Sequence, residues 1–453
     1  MIFICYINKL NMMKYCNIIS LAISFSCIYS CDLAKDDSPE TNIINVGIGY
    51  SNTSVNTTSF RNSSITTFED TQYIAYYDSE EYMVIGKRKL GEDKWQILRS
   101  DYKGNCKDAH DVISIGADGD GYLHVSFDQH AEELKYCVSV APGSLQLSEL
   151  KVMTDSLENS VTYPEFHRLK NGDLLFVYRD GSSGNGNMVI NYYNLTTKKW
   201  NMLQTNLIDG EGDRNAYWQM CVDNNDVIHV SWTWRESSNV ETNHDVCYAK
   251  SYDYGKTWYN SKGEQYSIPI NLSNAEIICE VPQKSELINQ TCMTVDSTEG
   301  IYIATYWREL NCAIPQYRLI WNNGNGWNNT QVGNRTHAFT LSGGGTKKIP
   351  ISRPKIAVEN KDGKTKIYYI CRDEEYQNKV LLYLNEDFNN NSSSWKKHYL
   401  TAFEVGAWEP SYDYQLWKDK QLLHIFVQNT AQGDHETISE LDPQMIYLME
   451  VNE

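Results

Sequence analysis

Short apolar runs rich in β-branched and aromatic residues recur along the chain at a nearly constant spacing. The most apolar of them fall at residues 72–77, 121–127, 173–178, 227–232, 300–306, 364–370 and 421–427. Gly, Asn and Asp bound these runs, as in Asp118 to Gly121 and Asn171-Gly172, which predicts strands joined by tight turns. The interval, roughly 50 to 70 residues, is the length of one four-stranded blade. Seven such units predict an all-β chain, a seven-bladed β-propeller with four-stranded antiparallel blades. No stretch of a dozen residues keeps a 3.6-residue period. A pair of sandwiches is the competing architecture, and seven copies at one period favour the ring.

Other features keep the same beat. An aromatic or basic residue stands just ahead of a proline in Tyr163-Pro164, Arg353-Pro354 and Trp408-Glu409-Pro410, and hairpins close on Trp95, Trp200, Trp258, Trp327 and Trp395. The run Ser251 to Trp258 resembles the Asp-box turn of sialidase-like propellers, in which an Asp caps a hairpin and a Trp packs between strands. Residues 271–290 and 333–349 are the longest interruptions and read as inter-blade loops, the segments that build sites on one face of a propeller.

Composition narrows the partners. The 453 residues include 32 Tyr and 12 Trp but 10 Pro, which suits many short strands and surfaces that stack on sugars. A net charge of -18 argues against nucleic acid, because no basic face is evident to neutralise phosphates. An anionic substrate must therefore meet a local cationic cleft in an acidic surface.

At the N-terminus, Lys14 precedes an apolar run from Ile18 to Tyr29 that ends in Ile28-Tyr29-Ser30-Cys31. Residues 1–31 read as a signal peptide with a lipobox-like end, so that Cys31 would carry the lipid, and residues 32–44 as an acidic tether. The alternative is a simple cleaved secretory signal. The expected protein is an exported, monomeric cell-envelope lipoprotein whose propeller spans 45–453. Eight cysteines lie in that body, spaced unlike a disulfide scaffold.

The chemistry concentrates where strands run out. Ala109-His110-Asp111 precedes the second repeat unit and Asp128-Gln129-His130 follows its central strand; Thr162 to Phe166 and Tyr178 to Gly184 hold the same places in the third. With Arg214 to Trp218, Trp232 to Arg235 and Asn243-His244-Asp245, this series resembles the BNR-repeat family of bacterial seven-bladed propellers. That family contains ulvan lyases and related rhamnosyl-glucuronate-cleaving enzymes. By motif position the resemblance implies a site of His110, His130, Tyr163, Arg179 and Tyr217, with Arg235 and His244 as further substrate-binding residues. The implied reaction is β-elimination at a 4-linked uronic acid, with no metal or cofactor required. It needs a cation on the carboxylate, which suits Arg179, and two proton carriers, for which His110 and Tyr163 are the expected pair. A phenol held against Arg179 would have a lowered pKa. His124 and His229 fall inside strands and read as packed residues.

The same resemblance implies a structural zinc, for which His244, Cys247, Cys279 and Cys292 offer an imidazole and thiolates without a CxxC pair. A Cys279–Cys292 disulfide is the alternative. The expected activity is a polysaccharide lyase acting on an anionic, uronate-containing polymer, ulvan in the first instance. A glycoside hydrolase releasing rhamnose from rhamnosyl-glucuronate and a non-catalytic glycan-binding propeller remain as alternatives.

Overall fold

A computed structural model describes residues 39–289 and 292–452. They form seven antiparallel sheets arranged as the blades of a propeller, numbered here in chain order: 65–103, 113–148, 161–204, 215–279, 292–332, 355–399, and 411–452 with 40–49. Each of the seven apolar runs lies in the second strand of a blade, from Thr71–Tyr77 in blade 1 to Leu423–Gln428 in blade 7. Such a strand has neighbours on both edges and a blade against each face. Both faces are therefore buried, and the sequence is a continuous apolar run instead of an alternation.

The core is correspondingly divided. Seven hydrophobic clusters of the described residues each bridge one pair of adjacent blades. The last of them joins blade 7 to blade 1 through Phe426, Ile446 and Leu448 against Ile74, Tyr76 and Trp95, so the ring is closed. An N-terminal strand, Glu40–Gly49, pairs with the C-terminal strand Gln444–Asn452 and adds Ile44 and Val46 to that seam. It begins inside the stretch assigned to the tether, because alternate residues of 40–49 find a sheet edge and an apolar face. The signal segment, Cys31 and most of the tether lie outside the described residues.

Local chemistry explains the repeat. Between the first two strands of blades 2, 4 and 5, an aspartate Oδ1 accepts the amides two and four residues on: Asp118 from Asp120 and Tyr122, Asp223 from Asn225 and Val227, Asp296 from Thr298 and Gly300. The Asp-box reading holds in detail, since Asp253 accepts from the Lys256 and Thr257 amides while Trp258 is buried with its indole N–H on the Gly255 carbonyl.

Three details differ from the expected pattern, one being that His130–Glu132 pairs with the first strand of blade 3 and makes that sheet five-stranded. Residues 271–290 are not all loop, since Glu276–Cys279 is the outermost strand of blade 4. Blade 2 has three strands, its outer position filled only by the bridge Ser139–Leu147 and a few backbone hydrogen bonds.

Candidate active site

The rim where first strands begin and second strands end carries the chemistry. Arg179 lies opposite Thr162 at one end of blade 3, and Arg235 opposite Asn215 at the same end of blade 4. In blade 3 a bulge between Thr162 and Glu165 interrupts the first strand, and Tyr163 there has φ +60°, a left-handed conformation that an aromatic residue rarely adopts. Tyr163 joins Phe60 and Tyr217 in a small eighth cluster at this rim.

Around that aromatic floor is a cleft of about 140 Å³, lined among others by His110, His130, Tyr163, Arg179, Tyr217 and Arg235. The His110 ring stacks between Phe60 (4.6 Å between centroids) and His130 (4.0 Å) and stands 5.8 Å from Tyr163. The guanidinium carbon of Arg179 is 4.9 Å from the Tyr163 centroid, and that of Arg235 is 5.4 Å from the Tyr217 centroid. The Ser183 hydroxyl reaches the Tyr217 phenol at 3.2 Å.

Asp108 organises the two imidazoles. One carboxylate oxygen accepts from His110 Nδ1 at 2.8 Å and the other from His130 Nδ1 at 2.6 Å. Burial alone would raise the Asp108 pKa, but the hydrogen bonds from His110 and His130 outweigh it and hold the carboxyl well below the usual range. Burial pulls His110 down to about 4 against the pull of Asp108. At neutral pH the ring is therefore uncharged. Since an ionised carboxylate only accepts, the ring proton sits on Nδ1 and the lone pair on Nε2.

The cations and phenols form a second group. Arg353 is tied to Glu409, which accepts from its Nε at 2.8 Å. Among the described residues, neither Arg179 nor Arg235 has a carboxylate in ion-pairing range, and the buried Nε of Arg179 has no hydrogen-bond partner. Arg179 donates to the Thr162 hydroxyl, and Arg235 to the Ser237 carbonyl. Two buried guanidiniums without counter-ions make an anion site.

The phenols respond in opposite directions. Burial, with Tyr217 nearby, pushes Tyr163 up even though Arg179 lies over its ring, so the expected lowering does not occur there. It occurs at Tyr217, where burial is outweighed by Arg235 and Arg179 together with the Ser183 hydrogen bond.

Residues 71–335 match the BNR repeat-containing family. The chain belongs to that family. No curated protein matches the sequence. Among solved structures, the BNR-repeat chain is similar to polysaccharide lyase Uly1, with 14% identity, a TM-score of 0.66, and 86% of this chain and 90% of the other covered. It is also similar to an ulvan lyase of polysaccharide lyase family PL25 bound to -[GlcA(1-4)Rha3S]-, with 14% identity, a TM-score of 0.64, and 90% and 95% covered. At these identities the likeness establishes the propeller fold.

Of the expected site residues, this BNR-repeat propeller brings six together and leaves His244 aside. The His244 imidazole is clamped between Glu236 (2.8 Å) and Asp245 (2.9 Å); burial would lower its pKa, but the two carboxylates raise it. The expected zinc set does not assemble. Cys279 pairs with Val246, so it packs on the blade 4–5 face, whereas Cys247, one residue on, points into the blade 3–4 cluster. Cys292 lies in the blade 5–6 cluster, and Cys279 and Cys292 are free thiols. Because successive strand residues face opposite sides, the four residues fit neither a tetrahedral site nor a Cys279–Cys292 bridge.

Asp108, Phe60, Ser183 and Arg353 belong to the site as well, although the motif positions do not mark them. The Asp-x-His spacing of Asp108 and His110 was the available signal for the first. Arg353 belongs to the proline repeat, which marks where inner strands reach the rim.

Proposed function

We propose that this BNR-repeat propeller is a polysaccharide lyase that cleaves a uronate-containing anionic polymer, ulvan in the first instance, by β-elimination. The reading rests above all on the two guanidiniums of Arg179 and Arg235, which face a cleft and have no carboxylate of their own. A uronate carboxylate bound there would neutralise them, and its own charge would be offset, which acidifies the C5 proton. His110, uncharged with its lone pair on Nε2, takes that proton. As the C4–O4 bond breaks and the C4=C5 double bond forms, the Tyr163 phenol, which burial keeps protonated, donates to O4. Tyr217, against both guanidiniums, holds the carboxylate end of the sugar in register. The relatives described as polysaccharide and ulvan lyases support the choice of polymer.

Incubation with ulvan tests the proposal, because only elimination creates a conjugated product that absorbs in the ultraviolet. Absorbance should rise with the parent chain and fall by about 10²- to 10³-fold in initial rate for Arg179→Ala and for Tyr163→Phe. New reducing ends without absorbance would replace the lyase by a hydrolase, and retention on the polymer without either product would replace it by a glycan-binding propeller.

A further inference from the structure

A groove larger than the cleft lies on the flank of the ring between blades 2 and 3. Its volume is about 710 Å³, against about 140 Å³ for the cleft. The groove exists because blade 2 is narrow. Where six blades carry a fourth strand, blade 2 has a single bridge, so the blade 3 side chains Tyr193 and Trp200 border open space.

We propose that this groove is a second, non-catalytic binding site for anionic polysaccharide. Its lining holds three lysines, Lys151, Lys198 and Lys199, and no carboxylate, in a chain whose net charge is -18. Lys198 is engaged by Asp120 at the margin and, at 3.6 Å, by the buried Asp118. Lys151 and Lys199 are exposed and, among the described residues, without an ion-pair partner. Tyr122, beneath the Lys198 ammonium at 5.6 Å from the ring centroid, and the half-buried Trp200 supply aromatic faces beside these charges.

The Trp200 face is fixed from below. The Trp200 indole donates to the Tyr136 hydroxyl at 2.9 Å, and that hydroxyl lies 2.7 Å from His124 Nδ1. A ring held rigid with ammonium groups alongside suits the C–H face of a sugar whose carboxylate or sulfate reaches the lysines. Bound at both places, a polymer gains effective concentration at the cleft without a new catalytic contact.

The proposal borrows from the lyase reading only the choice of probe. In the Arg179→Ala background, where the probe is not consumed, electrophoresis through gels containing ulvan, polygalacturonate or neutral dextran should show retardation by the two anionic polymers alone. Adding Lys151→Glu and Lys199→Glu should weaken that retardation about tenfold in apparent Kd, with an unchanged unfolding midpoint. In the otherwise native chain the same pair should leave cleavage of short oligosaccharides unaffected and raise KM for the polymer. Equal retardation with and without the charge reversals, equal retardation by dextran, or none by any gel would each overturn the groove. Failure of the parent chain to generate ultraviolet-absorbing product would overturn the cleft reading instead, leaving the gels to decide the groove.

Discussion

Asp108 orients the two imidazoles of the site although it does not itself line the cleft. As an ionised acceptor it takes a hydrogen bond from Nδ1 of each imidazole, and an amide at the same place would present a donor to at least one of them. Asp108→Asn is therefore expected to lower kcat by about 10²- to 10⁴-fold with a near-normal fold, measured by steady-state elimination and circular dichroism. Full activity would remove Asp108 from the mechanism. The His110 shift also has a sign in stability. With a pKa near 4 in the fold and about 6.5 when unfolded, the unfolded chain takes up the proton first as pH falls. Stability from this group is thus complete above about pH 6.5 and lost on descent to about 4, by about 3 kcal/mol. Asp108, lowered as well, extends the loss further into acid. Other buried histidines, His124 and His229 among them, shift the same way, so the test is a difference. Urea unfolding of His110→Gln should have a flatter pH dependence than the parent between pH 4 and 6.5, and parallel curves would refute the assignment.

At the scale of single elements, turns decide how blades meet. Gly119 and Gly172 sit in corresponding turns of blades 2 and 3, where the Gly119 amide donates to the Gly172 carbonyl at 2.9 Å. Gly172 has φ +87°, and a Cβ there would stand 2.6 Å from the Gly119 Cα. Backbone cannot give way as a flexible side chain can, so Gly172→Ala should cost about 2 kcal/mol, seen as a lower urea midpoint at unchanged m-value. These turns were legible as Asp-Gly and Asn-Gly signals, and so were the strands they join, because a buried strand is locally encoded in its apolar run. The bulge at Tyr163 was not legible. Nothing in Thr162 to Phe166 taken alone specifies a positive φ, which the packing of Tyr163 against Phe60, His110 and Tyr217 stabilises. The outer edge of blade 2 was likewise hidden, since an irregular segment such as 139–151 forms a strand or not according to what its neighbour offers.

For the whole molecule, closure is the decisive property. The seam between blades 7 and 1 is completed by strand Glu40–Gly49, which crosses from one end of the sequence to the other. Replacing Ile44 and Val46 together by Asp should cost about 4 kcal/mol from lost apolar burial alone and open the ring at that seam. A scan of thermal unfolding should show a markedly lower, broader transition, and an unchanged midpoint would show the strand to be dispensable. The sequence by itself determined the number of blades, the place of each central strand and the types of chemically active residues at the strand ends, because turns and buried runs are local in the chain. Which of those residues meet was decided by the ring, since contacts between blades depend on distances that no segment encodes alone. The ring gathered His110, Tyr163, Arg179 and Tyr217 around one cleft and left His244 to two carboxylates. It also put Cys247 and Cys279 on opposite faces of one sheet, because strand register, a property of the pair, sets which way a side chain points.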